Sequence, residues 1–393
     1  MNLDILQPKV QQFIADHLKT EITKVILKGS PFQAVSIQEL ANQIIAKQKS
    51  EHKLATWFNT DNIYYPEKIS IEQTSSEITA KYKSEILKGD KIIDITGGFG
   101  VDCFYFSKQF KEVVHCEINK ALSTIVKYNY HQLKTKNITL FSENGTNFLK
   151  ETNQKFDCIY IDPSRRNDAK GKVFLLKDCQ PYITPKIDFF FTKANFILVK
   201  VSPILDITQT ISELKNVKEV HIVALNNEVK ELLFLLEKNY KNSIKIKTIN
   251  IDKKGNQSFN FNFKEKTAST YSKPLTYLYE PNAAILKSGG FHEISQQLNI
   301  FKIHQHSHLY TSTELIDFPG RVFKIEQVLN YDKKKIKKAI SEKKANITTR
   351  NFPKKVAQIR KEMNLKDGGN TYLFFTTNIK NKPTCIFCTK NLN

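Results

Sequence analysis

The chain has 393 residues, 40% hydrophobic and 25% charged, and 60 Lys+Arg against 39 Asp+Glu give it a formal net charge of +21. Its length predicts two to four domains with ample apolar material for buried cores. No run of about 18 apolar residues occurs and charges interrupt the first twenty residues, so neither a membrane span nor classical secretion is expected. Six cysteines, at 103, 116, 158, 179, 385 and 388, are too sparse for a disulfide scaffold, and reduced thiols in a cytoplasm are expected.

The first 70 or so residues read as helical. Ser36 and Glu39 make a capping box ahead of Ile37, Leu40, Ala41, Ile44 and Ile45 at helical spacing. A Tyr-Tyr-Pro break at 64–66 precedes TSSEITAKYKSEIL, where Thr74 and Glu77 predict a second capping box. From Lys91 the pattern alternates: strand IIDI, a Gly-rich turn, helix FYFSKQF, strand EVVHCEI, helix NKALSTIVKYNYHQL, strand ITLF, a short helix, strand FDCIYI. Such alternation predicts βαβ units around a parallel sheet buried on both faces. FILVKVS and EVHIVAL extend that sheet, SIKIKTINI and FNFNF alternate as strands, and NEVKELLFLLEK before them fits either helix or strand.

Residues 275–318 read as a compact strand, helix, strand unit, LTYLYEP, NAAILKSGGFHEISQQL, IFKIHQHSHLYTS. The last segment reads β-α-β-α-β-β, an α+β sandwich whose second helix starts at Pro353 and ends at Gly368-Gly369. Residues 301–393 hold 19 Lys+Arg and 7 Asp+Glu, so they carry +12 of the +21. A lysine-rich compositional habit accounts for part of that excess; a basic end is also the footprint of contact with phosphate backbones.

The strongest chemical signal is Asp94-Ile-Thr-Gly-Gly-Phe-Gly100, between a strand and a helix. Glycines there allow a tight turn and close approach to a ligand. The spacing departs from a dinucleotide G-x-G-x-x-G, since the third position is Cys103, and no Walker lysine follows. The next strand ends at Glu117, where an acidic side chain can take both ribose hydroxyls. This arrangement resembles class I S-adenosylmethionine methyltransferases. The resemblance implies that Asp94, Thr96, Gly97, Gly98 and Gly100 form the cofactor loop, that Glu117 holds the ribose, and that Asn144, with Glu143 beside it, lies near the adenine.

The fourth strand ends in Tyr160-Ile-Asp162-Pro-Ser-Arg-Arg166. Amino-directed nucleic-acid methyltransferases carry Asp/Asn-Pro-Pro-aromatic at this corner. Asp162 and Pro163 match, while Ser164 and Arg165 replace the second proline and the aromatic. The resemblance gives Asp162, Pro163 and Ser164 the acceptor-orienting role, and Arg165 and Arg166 suit stacking on a base or bidentate phosphate contact.

Over residues 75–378 the chain is similar to bacterial class I methyltransferases with a C-terminal THUMP-like domain, through SSEITAKYKSEIL, DITGGFGVD, DPSRR, YLYEPNAAILKSGG and TTRNFPKKVAQIRKEMNLKDGGNTYLF. That resemblance implies an RNA substrate, tRNA or rRNA. From the basic charge of this end, Lys333, Lys334, Lys337 and Arg350 are candidate backbone contacts, and a solvated helix face is the alternative for the lysine run. The expected fold is α/β: a Rossmann-like class I methyltransferase sheet at 73–265, an N-terminal helical domain at 1–72, and small α+β domains at 270–320 (ferredoxin-like) and 321–393 (THUMP-like, basic).

Two clusters have simpler explanations. His304, His306 and His308 alternate along an expected strand and would face one side, but no Cys or carboxylate cluster accompanies them. Cys385 and Cys388 form one C-x-x-C without a second pair, which fits core packing. No metal is expected. The function expected is S-adenosylmethionine-dependent methylation of RNA. The alternative is a non-catalytic RNA-binding or assembly factor that keeps the cofactor fold as a scaffold.

Overall fold

A computed structural model describes residues 1–165, 175–340 and 342–390. They divide into two compact units, one of residues 1–217 and 234–241, the other of residues 218–233 and 242–393. No helix among the described residues is long and apolar enough to cross a membrane.

The first unit opens with helices α1 (Pro8–Asp16), α2 (Ile22–Lys28), α3 (Ile37–Lys53), α4 (Ala55–Asn59) and α5 (Lys68–Gln73). The capping box forms as expected: Ser36 Oγ accepts from Glu39 N at 3.2 Å, and the Glu39 carboxylate accepts from Ser36 N at 2.9 Å. The Tyr-Tyr-Pro break is an extended crossing whose buried backbone is satisfied by side-chain amides. Gln43 bonds the N–H and carbonyl of Tyr65 at 3.0 and 2.6 Å, and Asn129 bonds those of Tyr64, both at 2.9 Å.

The second capping box does not form. Thr74 closes α5, so α6 (Glu77–Ile86) is capped instead by Ser76, whose Oγ accepts from Thr79 N at 3.2 Å. Glu77 reaches across to the Thr56 backbone and hydroxyl and to the Tyr105 hydroxyl.

The sheet follows as β1 (Lys91–Asp94), α7 (Val101–Phe106), β2 (Glu112–Cys116), α8 (Lys120–Gln132), β3 (Ile138–Phe141), α9 (Gly145–Glu151) and β4 (Phe156–Ile161). The short antiparallel pair β5 (Ser164–Arg165) and β6 (Cys179–Gln180) comes next, then α10 (Ile187–Lys193), β7 (Ala194–Val201) and α11 (Ile207–Glu213). The order β7-β4-β1-β2-β3 is parallel throughout. The chain runs outward from β1 to β3 and then returns to the other side of β1, so the loops after β1 and β4 share the crevice where strand order reverses.

The open question over NEVKELLFLLEK resolves as a strand. Asn226 and Asn227, at φ 50° and 63°, form a two-residue turn between β8 (Val217–Leu225) and β9 (Glu228–Glu237). Leu232 to Leu236 are all buried, the continuous apolar run of a strand covered on both faces, and this hides the period-2 signal that would mark it.

In the second unit, β10 (Lys245–Ile251) pairs with β8 in parallel and with β11 (Gln257–Asn262) in antiparallel. Then come β12 (Tyr277–Pro281), α12 (Ala283–Ser288), α13 (Glu293–Gln297), β13 (Phe301–Lys302), β14 (Tyr310–Ser312), β15 (Gly320–Asn330), α14 (Lys333–Ala339), β16 (Asn346–Thr349), α15 (Val356–Met363), β17 (Tyr372–Thr377) and β18 (Pro383–Thr389). Their strands form one sheet in the order β13-β14-β12-β15-β18-β17-β16. The first residues of β15 pair with β12 and its later ones with β18, with a bulge between Ile325 and Gln327. Leu278, Ile303, Leu309 and Phe323 share one core with Phe374, Ile386 and Cys388, so the two halves of the sheet close on each other. The opposite face of β17 and β18 packs Leu373, Phe375, Cys385 and Phe387 against Ile336 of α14 and Ile359 and Met363 of α15.

Two expectations change here, those for the histidines and for the bounds of α15, while the core packing expected of the C-x-x-C pair holds. Cys385 and Cys388 sit in different cores on opposite faces of β18, so they cannot share a ligand. The three histidines lie in the turn between β13 and β14, not along a strand; His308 has φ 52°. His304 Nδ1 accepts from His306 N at 3.1 Å, and its ring also bonds Asn351 and Asn381, at 3.0 and 2.9 Å. α15 starts at Val356 because Lys355 is still extended, and it stops at Asn364, which takes the left-handed conformation (φ 54°) before the glycines are reached.

Candidate active site

The loop after β1 is built from within. Asp94 is buried, and its Oδ1 accepts from Thr96 N at 2.8 Å and Thr96 Oγ1 at 3.0 Å. Cys103 Sγ lies 3.5 Å from Asp94 Oδ2. Burial pushes the Asp94 carboxyl up to about 7, with the charge of Asp102 adding to the rise and the Thr96 hydrogen bonds opposing it. Asp94 is thus a post that holds the turn from below.

The glycines are required for different reasons. A Cβ on Gly97 would lie 2.2 Å from His115 Nε2, and one on Gly100 would lie 2.3 Å from the Tyr130 hydroxyl, which donates to the Gly100 carbonyl at 2.8 Å. Gly98 has φ 55°, and a Cβ there would meet nothing closer than 3.8 Å, so its face is open. Burial pulls the His115 imidazole down to about 4 against the opposing pull of the Gly97 and Gly98 backbone.

Glu117 follows β2 and fixes the rim of the loop. Its Oε2 accepts from Gly98 N at 2.9 Å and its Oε1 from Asn119 N at 2.7 Å, leaving further lone pairs on both oxygens for a ligand. Asn144 caps α9 through Oδ1, which accepts from Thr146 N and Asn147 N at 2.9 and 3.2 Å. Its neighbour Gly145 escaped the sequence reading. A Cβ there would lie 2.5 Å from the Ile95 Cα, so only glycine lets α9 start against the loop.

Thr96 joins this loop to the second corner. Its hydroxyl donates to Asp94 and accepts from Asp162 N at 2.7 Å, so one side chain ties the ends of β1 and β4. Lys200, at the end of β7, hydrogen-bonds Asp162 Oδ2 as a close ion pair, with side-chain exposures of 13% and 33%. Pro163 is buried and Ser164 is exposed in β5.

Family models match three consecutive stretches. Conserved hypothetical protein 95, a methyltransferase family, matches 44–219; a ferredoxin-like domain matches 277–319; a THUMP domain-like model matches 320–390. A crystal structure from Porphyromonas gingivalis W83, provisionally described as a methyltransferase, matches with a TM-score of 0.88 at 28% identity, covering 99% of this chain and 98% of that one. The chain has a methyltransferase fold followed by ferredoxin-like and THUMP-like domains. Two shorter structures also match. One, from Streptococcus mutans, is provisionally described as a methyltransferase in complex with SAH (TM-score 0.31, 18% identity, covering 41% of this chain and 96% of that one). The other is an rRNA methylase from Streptococcus thermophilus (TM-score 0.30, 13% identity, 41% and 94%). No curated protein matches the chain.

Beneath the loop of this methyltransferase fold lies a buried polar network that the sequence did not announce. Lys83 of α6 is fully buried, 3.3 Å from Asp102 Oδ1, and Asp102 Oδ2 accepts from the Ser75 and Tyr160 hydroxyls, both at 2.9 Å. Burial alone would raise the Asp102 carboxyl, but Lys83 and Lys200 together hold it below its ordinary value. The SSEITAKYK segment that carries part of the resemblance therefore supplies Ser75 and Lys83 to the floor of the site.

The candidate nucleic-acid contacts divide. Lys333, Lys334 and Lys337 are exposed on α14 around the buried Ile336. Arg350 pairs with Glu280 and keeps part of its side chain exposed. Arg165 lies in β5, and Arg166 lies outside the described residues. Among the described residues, no group of three or more His, Cys, Asp or Glu could hold a metal ion.

Proposed function

We propose that the chain is an S-adenosylmethionine-dependent methyltransferase that acts on RNA. The observation that carries this reading is the Thr96 hydroxyl, which couples the Gly-rich loop to the Asp162 corner and so fixes a cofactor cradle and an acceptor corner relative to each other. The cradle fits such a cofactor: Gly98 presents open space, and Glu117 has lone pairs to spare for two vicinal hydroxyls. Asn144 has its carbonyl committed to the α9 cap, which leaves its amide N–H groups to meet an adenine.

S-adenosylmethionine supplies an electrophilic methyl group on a sulfonium. The chain supplies alignment, worth several orders of magnitude when reacting groups are held in line. Asp162, paired with Lys200, is an acceptor of hydrogen bonds and orients an amino or hydroxyl group on the substrate, with Pro163 and Ser164 shaping the corner. A duplex base must be flipped to reach it. RNA as substrate is supported by the +12 of residues 301–393 and by the THUMP-like domain.

Transfer of labelled methyl groups from S-adenosylmethionine to total RNA tests the reading. The wild type labels RNA, Asp162→Ala loses about 100-fold in kcat, and Lys200→Met lowers kcat while binding of S-adenosylmethionine is retained. Undiminished transfer by Asp162→Ala, or transfer to DNA or protein in place of RNA, counts against it. Ser164 and Arg165, which replace the usual proline and aromatic, favour the scaffold as second reading, and that reading predicts cofactor binding without transfer to any acceptor.

A further inference from the structure

Glu280 in β12 has a side chain only 3% exposed, yet it faces two arginines at once. Arg321 stands opposite it in the β12–β15 ladder and donates from Nε to Glu280 Oε2 at 2.6 Å, with Nη2 also in contact. Arg350, just past β16, places Nη2 2.7 Å from Glu280 Oε1. The sheet closing on itself brings these groups together. The Arg321 guanidinium lies 5.4 Å from the Phe323 ring centroid and 6.0 Å from that of Phe374, which holds it flat.

A pairing meant only to neutralise a buried carboxylate needs one cation. Here two share it, a local charge of +1 remains, and the two arginine side chains are still 39% and 36% exposed. Burial, with the charges of Lys302 and Arg350 pushing the same way, holds the His308 imidazole down near 4. Arg350 also donates from Nη1 to the Thr349 carbonyl at 3.2 Å, and Arg321 Nη2 to Thr348 Oγ1 at 3.4 Å. Arginines fixed in place in this way, with part of each side chain exposed, are suited to contact with a phosphate, because the entropy of ordering them is already spent.

We infer that Arg321 and Arg350, positioned by Glu280, form a phosphodiester-binding site for the RNA backbone. The inference rests on the RNA reading above. It assigns backbone contact to this pair and makes the α14 lysines a solvated face. Glu280 lies in the ferredoxin-like stretch and the arginines in the THUMP-like one, so the site requires both.

The test is binding of a mixed tRNA preparation to the full chain between about 50 and 200 mM salt. Arg321→Gln/Arg350→Gln is expected to bind about tenfold more weakly and to flatten the salt slope by about 1 to 2. Lys333→Gln/Lys334→Gln, which removes the same number of cations, should change both much less. Because the first variant leaves Glu280 buried without a partner, Glu280→Gln/Arg321→Gln/Arg350→Gln serves as the version that folds, checked by its melting curve, and it should show the same loss. If the wild type binds and the folded arginine variants bind equally well, or the lysine pair costs as much, the inference fails and the RNA reading stands. If the wild type binds no tRNA at low salt, the RNA reading fails and takes the inference with it.

Discussion

Asp94 shows how one side chain shapes the site without reaching a ligand. Its carboxyl ordinarily titrates near 3.8 but is pushed up to about 7, first by burial. Below 3.8 folded and unfolded chains both hold the proton. Between 3.8 and about 7 only the folded chain does, so this residue makes stability fall as pH rises through that window. Urea unfolding of wild type and Asp94→Asn at several pH values should show a steeper decline in the wild type, and identical pH dependence would contradict the role of Asp94. The loop residues were legible in the sequence because glycine chemistry is local. Lys200 was not, since it meets Asp162 from 38 residues away on a different strand, and Glu280 meets Arg321 across 41.

Among the elements, α9 and the loop after β1 illustrate how little space separates the parts. The Ile95 backbone occupies the place a Gly145 side chain would take, and backbone cannot rotate aside. Gly145→Ala is therefore expected to cost about 1–3 kcal/mol in denaturant unfolding and to weaken binding of S-adenosylmethionine, whereas an unchanged midpoint would show that α9 shifts freely. The alternation of strands and helices from Lys91 to Val201 was readable because each element buries a distinct apolar pattern. β9 was not readable, since burial on both faces erases its period. The histidine segment failed for the opposite reason: an alternating pattern is necessary for a strand but not sufficient, and the side chains of Asn351 and Asn381 capture His304 in a turn.

At the level of the whole molecule, the C-terminal domains are joined by β15, which pairs with β12 at one end and β18 at the other. A chain ended before Arg321 would leave β12 paired with β14 alone and open the core shared by Leu278 and Phe374. Limited proteolysis is expected to degrade residues 242–320 of such a truncation faster than those of the full chain, and equal resistance would show that the ferredoxin-like stretch folds alone. Length, charge distribution and domain order were all visible in the sequence, but the closure of the last sheet was not, because it depends on contacts between distant strands. The central claim, that the Gly-rich loop and Glu117 form a cofactor cradle, is tested most directly by calorimetric titration of S-adenosylmethionine into purified wild type and Glu117→Ala. Removing the carboxylate forfeits its charge-assisted hydrogen bonds, about 1.5–3 kcal/mol, so the account predicts binding by the wild type and affinity weaker by roughly 10- to 100-fold in the variant. Equal affinity in both, or no binding by folded wild-type protein free of copurified cofactor, would contradict it.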